Sequence, residues 1–228
     1  HGLFFAWTKS SFRGKPTEFW NQKKHLGDIR YQGSAWKTDH SGKVILECEQ
    51  IFTTGKDSDQ PILKEIWQIK IPAKQKKYNQ FDLISIQTCA TDDPLLIQKY
   101  HYGGMAIRGN DRWMKKDLNG RPVCKMITSE DKNRENGNHS RPRWVAMYGP
   151  VDETTCGVVV MNHPNNFRYP QWVRLHPTMP YFVYAPMVKE PFSIEPGMSY
   201  VSKFRYITYE GTLDRDAIEG SWKEWIKN

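Results

Sequence analysis

No apolar run in the 228-residue chain approaches the roughly 20 residues that a spanning helix needs; the best, Gly157 to Met161, is strand-sized. That excludes an integral membrane protein of the helical kind. Cysteine is sparse: Cys48, Cys89, Cys124 and Cys156 stand far apart without CxxC or CxxH spacing. A zinc site built on them is excluded, while buried thiols and disulfides both remain compatible with the spacing. The sequence also lacks GxSxG, HExxH, a Walker loop and a GxGxxG at a strand–helix junction, so no familiar catalytic signature assigns a reaction. There is no internal repeat. The chain opens on strand-like apolar text rather than on a methionine or a signal peptide, so its natural start and any targeting segment are expected upstream.

What is present is aromatic. Nine Trp, 11 Tyr and 10 Phe make 13% of the residues, against 38% hydrophobic overall, 25% charged and a mean hydropathy of −0.73. Such a chain is long enough for one large domain or two small ones, and its aromatics suit strands, a core and a binding surface. Lys+Arg 33 against Asp+Glu 25 leaves a formal charge of +8. The densest basic pieces, Lys74 to Lys77 and Arg141-Pro-Arg143, lie in or beside polar turns and read as solvated surface rather than a nucleic-acid face.

Turn residues recur every eight to fifteen positions or so, and the segments between them favour period two. In Ile62 to Ile71, residues Leu63, Glu65, Trp67, Ile69 and Ile71 share one face, with Lys64, Gln68 and Lys70 on the other. Further strands are expected at 29–36, 43–53, 81–88, 104–108, 122–128, 143–148, 156–162, 181–185 and 199–209. The fold class expected is an all-β sandwich in one domain. Gly157 to Met161 should be an interior strand, being apolar on both faces. Only the tail reads as helix: Thr212 can cap it, Asp214 and Asp216 suit its first turn, and Leu213, Ile218, Trp222 and Trp225 or Ile226 form a stripe that would seal an edge or end of the sandwich. The polar stretch Ser129 to Ser140 is expected to be a long surface loop carrying a sequon at Asn138.

Three constellations carry chemistry. In Tyr100 to Gly109, a bulge at Gly103-Gly104 would bring His101 and Arg108 into one pocket; the same residues equally fit a turn cap and a structural ion pair. In Met161 to Pro177, a core strand runs into a proline-stiffened loop bearing His163, Asn165, Arg168, Trp172, Arg174 and His176. The third pairs His1 to Trp7 with Glu18-Phe19-Trp20. An N-terminal His1 can in principle chelate copper. Glu65, a carboxylate on an apolar face, either pairs with a buried arginine or is an acid of raised pKa.

At these constellations the chain resembles a bacterial family labelled DUF6807, or "methane oxygenase PmoA". The likeness rests on Gly2 to Trp7 after a histidine, Phe19-Trp20, the Gly-Gly…Arg segment at 103–108, Gly149-Pro-Val-Asp152, Gly157, His163-Pro-x-Asn166, Ala185-Pro186, Pro196-Gly197 and Tyr209-Glu-Gly211. It runs from residue 1 to about 225. The family's opening histidine pair, Arg-Gly-Leu, is here His1 directly before Gly2, with His1 where the Arg would stand; upstream strands are implied. The resemblance implies a β-supersandwich akin to galactose-mutarotase-like folds, a link to carbohydrate degradation, and an extracytoplasmic location.

The function expected is therefore a carbohydrate-active protein, an enzyme of sugar or glycoside processing, with a non-catalytic glycan-binding module as the alternative and a binder of polyanionic glycans as a third. His101, His163, Glu65 and Asp152 are the acid–base candidates. Arg108, Asn165, Arg168, Trp172, Arg174, His176 and Trp7 are the substrate-binding ones. The site is expected at one end of the sandwich, around His101, Arg108, His163, Arg168 and Arg174, without metal, cofactor, nucleic acid or membrane.

Overall fold

Alternating side chains become strands almost throughout. The computed structural model describes residues 2–55, 59–73 and 78–227; His1 and the basic run at 74–77 lie outside the described residues. The strands are β1 (Leu3–Ala6), β2 (Ser10–Phe12), β3 (Lys15–Thr17), β4 (Gly27–Thr38), β5 (Val44–Thr54), β6 (Pro61–Ile71), β7 (Asn79–Cys89) and β8 (Leu95–Ile97). They continue as β9 (Gly104–Arg108), β10 (Lys125–Thr128), β11 (Trp144–Val151), β12 (Thr154–Asn162), β13 (Val173–Leu175), β14 (Tyr181–Tyr184), β15 (Phe192–Ile194) and β16 (Ser199–Glu210), followed by helix α1 (Arg215–Trp225).

One large sheet has the order β10-β11-β12-β16-β7-β6-β5-β4; two four-stranded sheets, β1-β9-β14-β13 and β15-β8-β2-β3, supply the other layer. All of the pairings are antiparallel, and the result is an all-β sandwich. A continuous core joins the three sheets: Val145, Val158, Val160, Phe204 and Tyr206 of the large sheet share it with Met105 and Phe182 of one small sheet and Phe12, Leu95 and Ile194 of the other. No helix among the described residues is long and apolar enough to cross a membrane.

The interior strand is β12, held between β11 and β16. Its two faces have different partners. Val158 and Val160 point into the sandwich core, whereas Val159 and Met161 face Trp144, Ala146, Ile207, Ile218 and Trp225 in a second cluster. Helix α1 therefore lies flat on the outer face of the large sheet instead of sealing an edge or end. Its stripe meets a ready apolar patch there, with Glu219 accepting from the Trp144 indole at 2.8 Å and from Arg143 at 3.0 Å. Asp214, not Thr212, is the N-cap, its carboxylate accepting from the Ala217 amide at 3.0 Å.

The four cysteines are free thiols on β5, at the end of β7, before β10 and on β12. The stretch 129–140 is less of a loose loop than its composition suggests. Asn133 bridges back to Ile127, and Arg134 turns inward.

Candidate functional site

Period two along β9 sets the site. Met105 and Ile107 face the core with Phe182 and Tyr184, to which they are paired, so Gly104, Ala106 and Arg108 present the opposite face together with Tyr181. On the next strand Arg174, opposite Val183, shares that face; on the other side Phe4 pairs with Ala106 and Ala6 with Gly104. Phe4, Ala6, Arg108, Arg174 and Tyr181 of these strands line a cleft together with side chains from the loops beside them. The resulting cleft has a volume of about 680 Å³ and is lined by Phe4, Trp20, His101, Tyr102, Arg108, Arg174, His176 and Tyr181 among others.

The glycine pair makes the approach possible. Gly103 and Gly104 have φ of +132° and +118°, and a Cβ on Gly104 would stand 2.4 Å from the Tyr184 carbonyl oxygen. The backbone thus swings at this point, and His101 before the pair and Arg108 after it open on one cleft. The hydroxyl of Thr8 donates to the Tyr102 carbonyl and fixes the swing.

An aromatic wall runs along one side. Trp20 is its hub, edge-on to Phe4 at 4.8 Å and to Tyr102 at 5.1 Å, and 5.9 Å from Tyr181. Its loop is held by the buried Glu18, which accepts from Asn21 and Lys24 and so spends its charge on that lysine.

The opposite wall is cationic. Arg108 and Arg174 make no ion pair among the described residues, and the Nε of each is buried without a hydrogen-bond partner there. Behind them Arg134 donates to the carbonyls of His176, Met179 (2.9 Å) and Cys124 (2.8 Å), stapling the 176–179 turn; burial lowers its pKa. His176 sits in this field. Burial, then the charges of Arg174, Arg134 and Arg108, pull its pKa down to about 4, so the ring is neutral at pH 7. Its Nδ1 accepts from the amides of Thr178 (3.2 Å) and Met179 (2.9 Å), which leaves Nε2–H as a donor. His101, packed between Tyr100 and Tyr102, is also lowered, by burial first and Arg174 next. Its ring makes no hydrogen bond among the described residues.

Of the expected site residues, the structure brings His101, Arg108, Arg174 and His176 together. The others are elsewhere, and the cleft is on the outer face of a small sheet instead of at the end of the sandwich. Glu65 is a core residue, 1% exposed, accepting from Ser85 (2.6 Å) and Gln87 (2.8 Å); it meets no arginine among the described residues. Trp7 is fully buried and donates to the same Gln87 at 2.8 Å. Asp152 sits at the exposed turn between β11 and β12 and pairs with Arg112. His163 leaves β12 as expected, but β12 ends beneath α1, and the ring packs edge-on to Trp225 at 4.8 Å. Asn165, exposed, donates its amide to His163 Nδ1. Arg168 is structural: it donates to the carbonyls of Pro186, Glu190 and Pro191 across Phe167 and Phe192. Trp172, half-buried, lies under Arg141 at 4.6 Å.

The cleft joins the first and third sequence constellations, with only the far end of the second. No curated protein matches the sequence. A family model does match, over residues 1–223. The chain belongs to DUF6807, a family of unknown function. In this DUF6807 chain the match spans every element that builds the cleft, from Phe4 of β1 to Tyr181 of β14. Phe4, Trp20, Tyr102 and Tyr181 were missed as site residues. Glu18-Phe19-Trp20 and the Tyr102 that precedes Gly103-Gly104 were the available signal: both stand beside segments already singled out.

Proposed function

We propose that this DUF6807 protein is carbohydrate-active and that it acts on a sugar or glycoside bound in the cleft through histidine acid–base chemistry. The observation that supports this is the pairing, in one cleft of about 680 Å³, of an aromatic wall with arginine and histidine donors. Aromatic faces suit sugar C–H surfaces and fixed donors suit hydroxyls, within the roughly 300–1,000 Å³ usual for ligand pockets. His101, neutral at pH 7 with uncommitted ring nitrogens, serves as base; His176 serves as donor. The implied kinship with galactose-mutarotase-like supersandwiches adds to this reading, and a location outside the cytoplasm rests on that resemblance alone.

The second reading is a non-catalytic glycan-binding module. It is favoured by one feature: no Asp or Glu lines the cleft among the described residues, so paired-carboxylate glycoside hydrolysis has no acid there. Trp20→Ala and His101→Ala, both checked for an unchanged melting temperature, separate the readings in a glycan panel followed by calorimetry and product chromatography. Trp20→Ala is expected to weaken binding about 10-fold, the scale of a lost aromatic contact. His101→Ala is expected to keep binding and lose turnover. Binding without turnover by the unaltered protein across the panel assigns the module. If the unaltered protein binds no glycan of the panel, both readings fall.

A further inference from the structure

The cleft keeps positive charge that nothing in it neutralises. Elsewhere arginines are matched by carboxylate, as in the two-pronged Arg205–Asp82 pair at 2.6 and 2.9 Å and in Arg143–Glu219 at 3.0 Å, or by backbone carbonyls, as Arg141 is by Pro170 at 2.6 Å. Arg108 and Arg174 depart from that habit. Besides its buried, unpartnered Nε, the Arg108 side chain has among the described residues only a contact from Nη2 to the Met179 sulfur at 3.2 Å. A buried Nε–H without an acceptor is unfavourable, and the rest of each fork lines the cleft with no carboxylate beside it among the described residues. Arg134, immediately behind, is satisfied by carbonyls and adds charge without adding an acceptor. Lys23 stands on the rim, and Glu18 is already matched by Lys24. Every titratable imidazole of the wall is held neutral, so the unmatched charge resides on the arginines.

We infer that the ligand of the cleft is an acidic saccharide, whose carboxylate is held between Arg108 and Arg174 while its ring lies along Trp20 and Tyr181. This rests on the carbohydrate reading above. The two arginines rise from β9 and β13, on either side of β14 and opposite Tyr181 and Val183, so their forks reach the cleft from two directions. A planar carboxylate offers two oxygens to two such forks.

The test is calorimetry of the unaltered protein against trisaccharides of glucuronic, galacturonic and mannuronic acid, their methyl esters, sulfated neutral trisaccharides and uridine monophosphate. The esters keep the shape and remove the charge. At least one acid is expected to bind tighter than its ester by about 10-fold or more, the worth of a charged hydrogen bond. Arg108→Gln and Arg174→Gln are each expected to erase that preference without lowering the melting temperature. Equal binding of acid and ester overturns the inference and leaves the carbohydrate reading standing. Tighter binding of the sulfated sugar or of the nucleotide overturns the carboxylate assignment. Failure of every saccharide to bind overturns the carbohydrate reading with it. The acid–ester comparison needs no variant, so a misfolded arginine variant does not blunt it.

Discussion

Val159→Asp is expected to lose on the order of 3 kcal/mol of stability or more, a large share of the roughly 5–15 kcal/mol that holds a domain folded. Val159 is 0% exposed at the centre of the cluster between α1 and the large sheet, with Ala146 and Ile207 as its cross-strand neighbours. An aspartate there places a carboxylate among Trp144, Met161, Ile218 and Trp225. The arginines that border the cluster, Arg205, Arg143 and Arg215, are already paired with Asp82, Glu219 and Asp131, so the new side chain must draw one of them from its partner, stay charged and unsolvated, or take up a proton. Val159→Ile is the control: it keeps the apolar contact and should cost far less. Urea denaturation followed by near-ultraviolet circular dichroism reads both. A midpoint for Val159→Asp equal to that of the unaltered protein would mean that α1 does not cover β12.

Glu65→Gln is expected to stabilise the protein above neutral pH. Burial raises the Glu65 carboxyl to about 7, against the opposing effect of its bonds to Ser85 and Gln87. The sign follows from proton linkage. The native state holds the proton more tightly than the unfolded state, so stability is greatest below the unfolded value near 4.5, falls as pH rises towards 7, and levels off at the lower value above it. The cost at pH 8 is on the order of 3 kcal/mol. A neutral glutamine can still accept from Ser85 and Gln87, so the variant should gain about that much at pH 8 and little at pH 4.5, flattening the profile between them. Equal stability of variant and parent at pH 8 would show that the carboxylate is not desolvated.

The strands were legible because burial imposes period two: the segments from 29 to 36 and from 199 to 209 fall inside β4 and β16. β12 could be read as interior from its apolar faces alone. The three-residue strands β2, β3, β8, β13 and β15 were not legible, since so few residues show no alternation, and β8 pairs with the distant β2 and β15. The site was half legible for a related reason. Polar residues in a stiff loop mark where a chain could carry chemistry, but not towards which layer the loop folds. His163 and Arg168 turned under α1 and onto Phe192, while Arg174 and His176, a few residues further, reached the cleft by joining β14. Glu65 stands out in the sequence as a carboxylate on an apolar face, and in the fold it is buried. Its partners, Ser85 and Gln87, lie on the adjacent strand and satisfy an acid without any arginine.

The cleft on the outer face of the β1-β9-β14-β13 sheet is the central claim, and hydrogen exchange with and without bound glycan tests it most directly. At saturating trisaccharide, added protection is predicted in the peptides covering 4–6, 19–23, 101–108 and 174–181, with those covering 152 and 163–168 unchanged. Protection at 163–168, or spread evenly over the sandwich with none at 101–108, would contradict it.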